Sequence, residues 1–332
     1  MQQSEFKWLS LEACFLLLGI AGTIFFLCCG LIWFVRWLND DSFIRNPAGS
    51  GRYSEPVWSP DGKYIAFKFD DETYLLEITT KKLTLLVTYS SLGSGMAWEN
   101  ENTLWIADSE VEYAPGRGWG VGFIKIDIPT RMATHITIDH LIKPRRQGLQ
   151  GFSFDTFGNM TFGLGLINDY YDSTDDNDEL FSLNLATPAV EKLTYSLRTN
   201  EVSPQWSPDG EKLAFYIYNP LSEGVDLQII DHKQQSYFLN TNSRSNSQHT
   251  YTWSPDSRWI LVARDDGLYI VASNGGSTAR RVYKKDAIVN VAWSPDGEYI
   301  AITDVGVPGY NTMKIIEVEE LSFPPEAKYL EK

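Results

Sequence analysis

The sequence predicts an all-β protein: a six-bladed β-propeller of four-stranded antiparallel blades, preceded by one transmembrane helix. Two observations predict the propeller. A Trp-Ser-Pro-Asp-Gly turn recurs along the chain, and apolar strand patterns flank the copies. A third observation, an uncharged apolar run near the N-terminus, predicts the helix.

The turn occurs in full at residues 58–62, 206–210 and 293–297, and as a Ser-ended variant at residues 253–257. Ser, Pro, Asp and Gly in this order fit positions i to i+3 of a type I turn, because proline presets the backbone angle at i+1. The strand after each turn is apolar on both faces, as at residues 64–67. Such a strand needs a sheet on either side of it, which stacked blades provide.

Two further units are degenerate and are identified by their spacing. Glu-Asn-Glu-Asn stands at the turn of one, and Asp-Thr-Phe-Gly at the turn of the other. The anchor aromatic residues of the six units are Trp58, Trp98, Phe154, Trp206, Trp253 and Trp293. They lie 40 to 56 residues apart, near the length of a four-stranded blade. One aromatic residue per blade is expected of core packing, so none of them is a candidate site residue.

The unit Trp-Ser-Pro-Asp-Gly-x-x-Ile/Leu-Ala resembles the WD40-like (PD40) repeats of TolB-type β-propellers. The resemblance covers most of the chain after residue 53 and implies a propeller over residues 53–332. It does not imply one function, because such propellers serve as periplasmic binding proteins, as gates on peptidases and as parts of sensors.

The chain before the first repeat is interpreted as a membrane anchor. Residues 1–12 form a short polar tail, residues 13–36 a transmembrane helix and residues 37–52 a linker with Pro, Gly and Ser. No charge occurs from Ala13 to Val35, a run long enough as a helix to cross about 30 Å of hydrocarbon. A cleavable signal peptide is the alternative, but no Ala-x-Ala-like cleavage site follows the run.

The residues leave the orientation of this helix open. Lys7 precedes it, whereas Arg36, Arg45 and Arg52 follow it, a balance that mildly favours a cytoplasmic propeller. The resemblance to periplasmic TolB-like proteins implies the opposite side. We expect a single-pass membrane protein of the bacterial cell envelope with an extracytoplasmic propeller.

Composition argues against several classes of function. The net charge of -15 argues against nucleic-acid binding, which needs a basic surface. All three cysteines, Cys14, Cys28 and Cys29, lie in the apolar N-terminal run. The predicted propeller therefore has neither a disulfide nor a cysteine-based metal site. No cofactor is expected.

An acidic run at residues 168–179 offers oxygen ligands of the kind that Ca²⁺ prefers. The run lacks the glycine of an EF-hand loop, so we interpret it first as a solvated acidic loop. Calcium binding is the alternative, with the candidate ligands Asp172, Asp175, Asp176 and Asp178.

A four-stranded meander predicts which end of the propeller binds a partner. The turns after the first strands share one end, and the loops after the second strands share the other. The second set is long in four units, at residues 108–121, 167–178, 219–225 and 304–312. Long loops on a rigid scaffold are common binding sites, and aromatic and arginine side chains anchor interfaces. The candidate partner-binding residues are Tyr113, Arg117, Trp119, Tyr170, Tyr171, Tyr218, Tyr310, Arg145 and Arg146.

The sequence therefore predicts a non-enzymatic, membrane-anchored module that binds a protein or peptide partner. Two alternatives from other classes stay open: an enzyme, hydrolase or lyase, in the central funnel, and a Ca-dependent ligand sensor. The sequence has no Gly-x-Ser-x-Gly elbow and no His-x-x-x-His pair, so the enzyme is the less favoured reading.

Closure of the ring is the last expectation. The sixth unit shows three strands, the last at residues 313–319. A propeller with an open last blade would expose a sheet edge, so a fourth strand is expected from residues 327–331 or from residues 42–45. The C-terminal segment is favoured.

Overall fold

The computed structural model describes residues 52–88, 95–112, 119–138, 149, 151–165, 178–195, 199–218, 225–231, 236–243, 251–276, 278–305, 311–325 and 327. In this part of the chain the protein is a six-bladed β-propeller of antiparallel blades, which confirms the predicted fold and blade count.

Each blade is built from strands that follow one another in the chain and pair with their neighbours. Blades 1 and 2 consist of β1 (Tyr53–Trp58), β2 (Tyr64–Phe69), β3 (Glu72–Glu77), β4 (Lys82–Thr88), β5 (Met96–Asn100), β6 (Thr103–Glu112), β7 (Trp119–Asp127) and β8 (Met132–Thr137). Blades 3 and 4 consist of β9 (Phe152–Phe154), β10 (Met160–Gly165), β11 (Asp178–Asn184), β12 (Ala189–Lys192), β13 (Asn200–Trp206), β14 (Lys212–Tyr218), β15 (Val225–Asp231) and β16 (Ser236–Ser243). Blades 5 and 6 consist of β17 (Tyr251–Trp253), β18 (Trp259–Arg264), β19 (Gly267–Ala272), β20 (Arg280–Lys284), β21 (Ile288–Trp293), β22 (Tyr299–Val305) and β23 (Asn311–Glu317).

The first strand of each blade lies at the centre of the ring and the fourth at its rim. First strands of neighbouring blades contact one another, as β1 contacts both β5 and β21. Fourth strands are open to solvent: β8 has five exposed residues of six. Second strands are buried on both faces, as in β18, where five of six residues are buried. As predicted, the second strands are apolar on both faces because each is covered on both sides.

The Ser-Pro-Asp-Gly turn is held by its own side chains. In the first copy the Gly62 amide donates to the Ser59 carbonyl at 2.9 Å, and the Ser59 hydroxyl donates to Asp61 at 2.7 Å. Two features require glycine at the last position of the turn, as Gly210 shows. Its φ is +74°, and an added Cβ would lie 2.6 Å from Oγ1 of Thr156 in the preceding blade. The turns thus also contact one another.

Aromatic side chains fill the spaces between blades. Between blades 2 and 3, the Trp105 ring lies 5.8 Å from the Phe123 ring in a T-shaped pair, and Phe123 lies 5.0 Å from Phe152. All three side chains are buried. Each contributes about 1.5–3 kcal/mol by leaving water, so these contacts hold one blade to the next.

The anchor tryptophans also bind the neighbouring blade by hydrogen bonds. The Trp98 indole donates to the carbonyl of Val57, one residue before the anchor of the preceding blade, and Trp253 donates to Gln205 in the same way. Trp58 donates to Ala292 of blade 6 at 3.2 Å, the equivalent position. Blades 1 and 6 are therefore joined by the same bond as consecutive blades.

The sixth blade has three strands among the described residues. The chain after β23 forms a short 3₁₀ turn, Val318–Glu320, and then packs on the core between blades 5 and 6. The Ser322 amide donates to Val282 in blade 5, and Ala327 is fully buried in a turn. The expected fourth strand is thus not found at Ala327. Residues 328–331 and 42–45 lie outside the described part.

No helix in the described residues is long and apolar enough to cross a membrane. The predicted tail at residues 1–12, the transmembrane helix at residues 13–36 and residues 37–51 of the linker lie outside the described residues.

Candidate functional site

The end of the propeller opposite the Ser-Pro-Asp-Gly turns is uneven. In blades 1 and 5 the second and third strands are joined by tight turns, after Phe69 and after Arg264. Longer connections join them in blades 2, 3, 4 and 6. Three of these four blades are consecutive, and the connecting residues themselves lie outside the described residues.

The loop of blade 2 is shorter than predicted. Strand β6 continues to Glu112, and β7 starts at Trp119, which pairs with Glu112 across the hairpin. The predicted boundaries at residues 108 and 121 were therefore wrong, because the strands extend past the alternating pattern that marked them. Trp119 lies in a strand and not in the loop.

Tyr218 is the candidate whose side chain the structure describes. It is the last residue of β14, half-buried, and pairs with Val225 and Asn200 on the two neighbouring strands. It therefore lies in a strand beside the blade 4 loop, whereas it was predicted to belong to that loop. The other candidates lie outside the described residues: Tyr113, Arg117, Arg145, Arg146, Tyr170, Tyr171 and Tyr310.

The acidic run ends earlier than predicted. Asp178 is the first residue of β11, pairs with Gly165 and is 7% exposed, and its amide donates to the Asn200 side chain of blade 4 at 2.9 Å. Glu179 forms an ion pair with Lys192. Neither belongs to a solvated loop. In the part of the chain that the structure describes, no three His, Cys, Asp or Glu residues are placed to hold a metal ion; Asp172, Asp175 and Asp176 lie outside that part.

A buried ion pair lies beside the central strands of blades 1 and 2. The Lys68 ammonium is 3.0 Å from the Glu55 carboxylate, and the Lys68 side chain is 8% exposed. The same Glu55 oxygen accepts a hydrogen bond from the amide of Gly95 in blade 2 at 3.0 Å. Glu55 has a φ of 52°, in the bulge where the β1–β2 pairing shifts register. This bulge turns its side chain toward the next blade.

Equivalent positions in other blades make a related contact. Each lies three residues before the anchor aromatic residue, and those described are Glu55, Gly95, Gly151, Ser203 and Asn290. The Asn290 side chain accepts from the Glu55 amide at 3.2 Å, as Glu55 does from Gly95. An added Cβ on Gly151 would lie 2.9 Å from the Ser203 Cα, so there the backbones themselves touch. At these described positions the first strand of one blade contacts the first strand of a neighbouring blade.

A second buried charge lies nearer the loop end, in blade 6. The Asp304 carboxylate is 2.5 Å from the Lys285 ammonium and accepts a hydrogen bond from the Thr312 hydroxyl. Asp304 is 6% exposed. Lys285 precedes β21, so the pair fixes the chain that enters blade 6.

An aromatic cluster marks the start of β1 at the same end. Tyr53 packs against Phe69 at 4.9 Å, and Phe69 against Tyr74. Burial, and then the neighbouring Tyr74, raise the pKa of Tyr53 to about 12. The hydrogen bond to Glu72, followed by burial and the charge of Glu72, raises the pKa of Tyr74 to about 12. Both phenols therefore stay protonated at neutral pH.

Sequence reasoning missed Glu55, Lys68 and Asn290. One signal could have found the first and the last of them, because each stands three residues before an anchor tryptophan, where other blades carry Gly or Ser. Lys68 also interrupts the apolar second strand of blade 1. A charge within such a strand indicates a buried partner.

Comparison with known proteins adds evidence on the fold. No family model and no curated protein matches the chain. Solved structures do. TolB from Acinetobacter baumannii aligns over 68% of this chain and 53% of its own length, with 17% identity and a TM-score of 0.53. An oligogalacturonate lyase in complex with manganese aligns over 83% of this chain and 78% of its own length, with 14% identity and a TM-score of 0.53. A gluconolactonase from Xanthomonas campestris aligns over 81% and 86%, with 11% identity and a TM-score of 0.58.

The chain is a propeller of TolB-like fold. At these identities the likeness shows the fold alone. The similar structures include TolB and also proteins named as enzymes. The similarity therefore does not decide between binding and catalysis. The chain spans about half the length of the TolB structure.

Proposed function

We propose that this protein is a non-enzymatic propeller that binds a protein or peptide partner in the bacterial cell envelope, with its long-loop end as the binding face. The N-terminal apolar run is proposed to anchor it in the membrane, with the propeller on the extracytoplasmic side. The similarity to TolB structures supports a binding role.

One observation carries the proposal. On the central strand of blade 1 the Glu55 carboxylate holds two blades together, because it binds both the Lys68 ammonium and the Gly95 amide of the next blade. Removing this carboxylate would leave Lys68 as a buried charge, so Glu55 has a structural role between blades 1 and 2. This structural use of a central charge supports function on the outer loops.

The funnel enzyme remains the second candidate, because the lyase and the gluconolactonase align over more of this chain than TolB does. The two functions can be distinguished by whether the protein is isolated together with a macromolecular partner. A binding module is expected to hold a macromolecular partner in a fixed ratio, whereas an enzyme for a small substrate is not.

The test is affinity capture of the intact, tagged membrane protein after cross-linking in cells, with mass spectrometry of the proteins that accompany it. The partner found is then purified, and its Kd is measured for wild type, Trp119→Ala, Tyr171→Ala and Tyr218→Ala. Truncating an aromatic anchor costs about 2 kcal/mol, which raises Kd roughly 30-fold.

Lys63→Glu is the control on the opposite end, where Lys63 is 70% exposed and pairs with Asp61 in the first turn. We expect it to bind like wild type. Loss of binding in Lys63→Glu with all three aromatic variants intact would show that the wrong face was chosen. Capture without a protein at fixed stoichiometry would favour the enzyme or the sensor.

A further inference from the structure

The chain contains one Asn-Gly dipeptide, Asn274-Gly275. It lies in the turn between β19 and β20 of blade 5, and Asn274, Gly275 and Gly276 are all exposed to solvent. Turns between third and fourth strands share the Ser-Pro-Asp-Gly end of the propeller. This turn is therefore remote from the proposed partner face, and its chemistry can be tested independently of partner binding.

The Asn274 side chain is held over the peptide bond that follows it. The Gly276 amide donates to Asn274 Oδ1 at 2.9 Å. This hydrogen bond closes a ring that contains both the side-chain carbonyl carbon of Asn274 and the backbone nitrogen of Gly275. An N–H at Oδ1 also stabilises the negative charge that develops on this oxygen when the carbonyl carbon is attacked.

The attacking nitrogen is weakly restrained. The Gly275 amide donates to the Ala272 carbonyl at 3.3 Å, beyond the usual 2.7–3.2 Å for this type of bond. Little stabilisation is lost when this N–H gives up its proton. Gly275 has no side chain to obstruct the approach of its nitrogen to the Asn274 amide.

We propose that Asn274 is a site of spontaneous deamidation in the folded protein. The Gly275 nitrogen loses its proton to hydroxide and bonds to Cγ of Asn274, and the bond from Cγ to Nδ2 breaks with release of ammonia. The product is a cyclic imide. Water then adds to one of its two carbonyls and opens the ring to aspartate or to isoaspartate, so water is the sole co-reactant and no oxidant or reductant takes part.

Asn274 lies next to a contact between blades 4 and 5. Ser273, the preceding residue, is 1% exposed; its hydroxyl donates to the Ser257 carbonyl at 3.0 Å and accepts from the Lys212 ammonium at 2.9 Å. Deamidation adds a carboxylate one residue away from this contact. The isoaspartyl form also inserts a methylene group into the backbone of the turn.

The chain offers matched internal controls. Asn100 and Asn184 accept the same hydrogen bond from the amide two residues on, at 3.0 and 2.9 Å, but are followed by Glu101 and Leu185. The full chain is incubated at neutral and at mildly alkaline pH, digested and analysed by peptide mass spectrometry with isoaspartate detection. We expect a gain of one mass unit and isoaspartate at Asn274, faster at the higher pH, with Asn100 and Asn184 unchanged.

Two further measurements test the role of the turn. Glu101→Gly supplies the missing glycine after Asn100, and we expect Asn100 to deamidate in this variant. Incubation in urea removes the turn, and we expect the rate at Asn274 not to rise. Modification of Asn274 in urea but not in the folded chain would overturn the proposal, as would an inert Asn100 in the Glu101→Gly variant.

Discussion

Ser257 occupies, in the fifth blade, the turn position that glycine fills in three others. Its φ is 61°, a left-handed conformation that costs a residue with a side chain about 1 kcal/mol. The Ser257 hydroxyl accepts a hydrogen bond from the amide of Asp209 in blade 4 at 3.0 Å. This hydrogen bond between two turns offsets the backbone strain. Ser257 therefore takes the place of glycine and also links blade 5 to blade 4.

Replacement of Ser257 separates these two effects. Ser257→Ala keeps the strained backbone and loses the hydrogen bond, so we expect the free energy of unfolding to fall by about 1 kcal/mol. Ser257→Gly loses the same bond but relieves the strain, so we expect a change of less than about 0.5 kcal/mol. Urea unfolding of the three proteins measures both values. A glycine variant less stable than the alanine variant would contradict this balance.

At the scale of elements, the described residues after β23 pack on the core between blades 5 and 6. The Phe323 ring stacks on the Trp293 ring at 6.1 Å, and Phe323 is 6% exposed. Burial of this side chain therefore stabilises the edge of blade 6 by packing.

We expect Phe323→Ala to lower the free energy of unfolding by about 3–5 kcal/mol, the usual cost of truncating a buried phenylalanine. Phe157→Ala is the matched control, because Phe157 is 82% exposed in a turn of blade 3. Thermal unfolding of the two variants should show a large decrease for the first and little change for the second. Equal melting temperatures would show that the segment does not stabilise the ring.

The blades could be predicted from the sequence because their signals are local. A Ser-Pro-Asp-Gly turn closes its hydrogen bonds within five residues, as between Ser59 and Tyr64, so each copy reports its own structure.

The contacts between blades around Glu55 were harder to predict, for a different reason. Asn290 and Glu55 are 235 residues apart and meet because the ring closes. No local pattern encodes that contact. The end of β14 just before residue 219 was predicted, since it follows from strand order alone.

At the scale of the whole molecule, ring closure resembles the contacts between blades 1 and 2 and between blades 4 and 5. The Trp58 indole reaches Ala292, and its ring stacks on Tyr299 of blade 6 with an angle of 22° between the rings. Because the ring is closed, each blade packs between two others, as β1 contacts both β5 and β21, so we expect a disturbance in one blade interface to affect its neighbours. The stability of the propeller should therefore respond as a unit to groups buried in different blades.

The buried tyrosines allow this cooperative unfolding to be tested at alkaline pH. Burial raises the pKa of Tyr216 and of Tyr251, between blades 4 and 5, and the pKa values of Tyr53 and Tyr74 in blade 1 are raised to about 12. In the unfolded chain all four ionise near pH 10. Below pH 10 both states keep these protons, and the stabilisation is fully present. As the pH rises from about 10 to about 12, the unfolded chain releases protons that the folded chain retains, so the free energy of unfolding falls.

We expect the urea midpoint to drop steeply over this range in a single transition, followed by fluorescence and by circular dichroism together. The double variant Tyr53→Phe, Tyr74→Phe removes two of the ionising groups, so its midpoint should fall less steeply. Tyr195→Phe, at a side chain 77% exposed, is the matched control and should follow wild type. Two separate transitions in wild type, one for each pair of tyrosines, would show that blade 1 and the interface of blades 4 and 5 unfold independently and that the ring is not one cooperative unit.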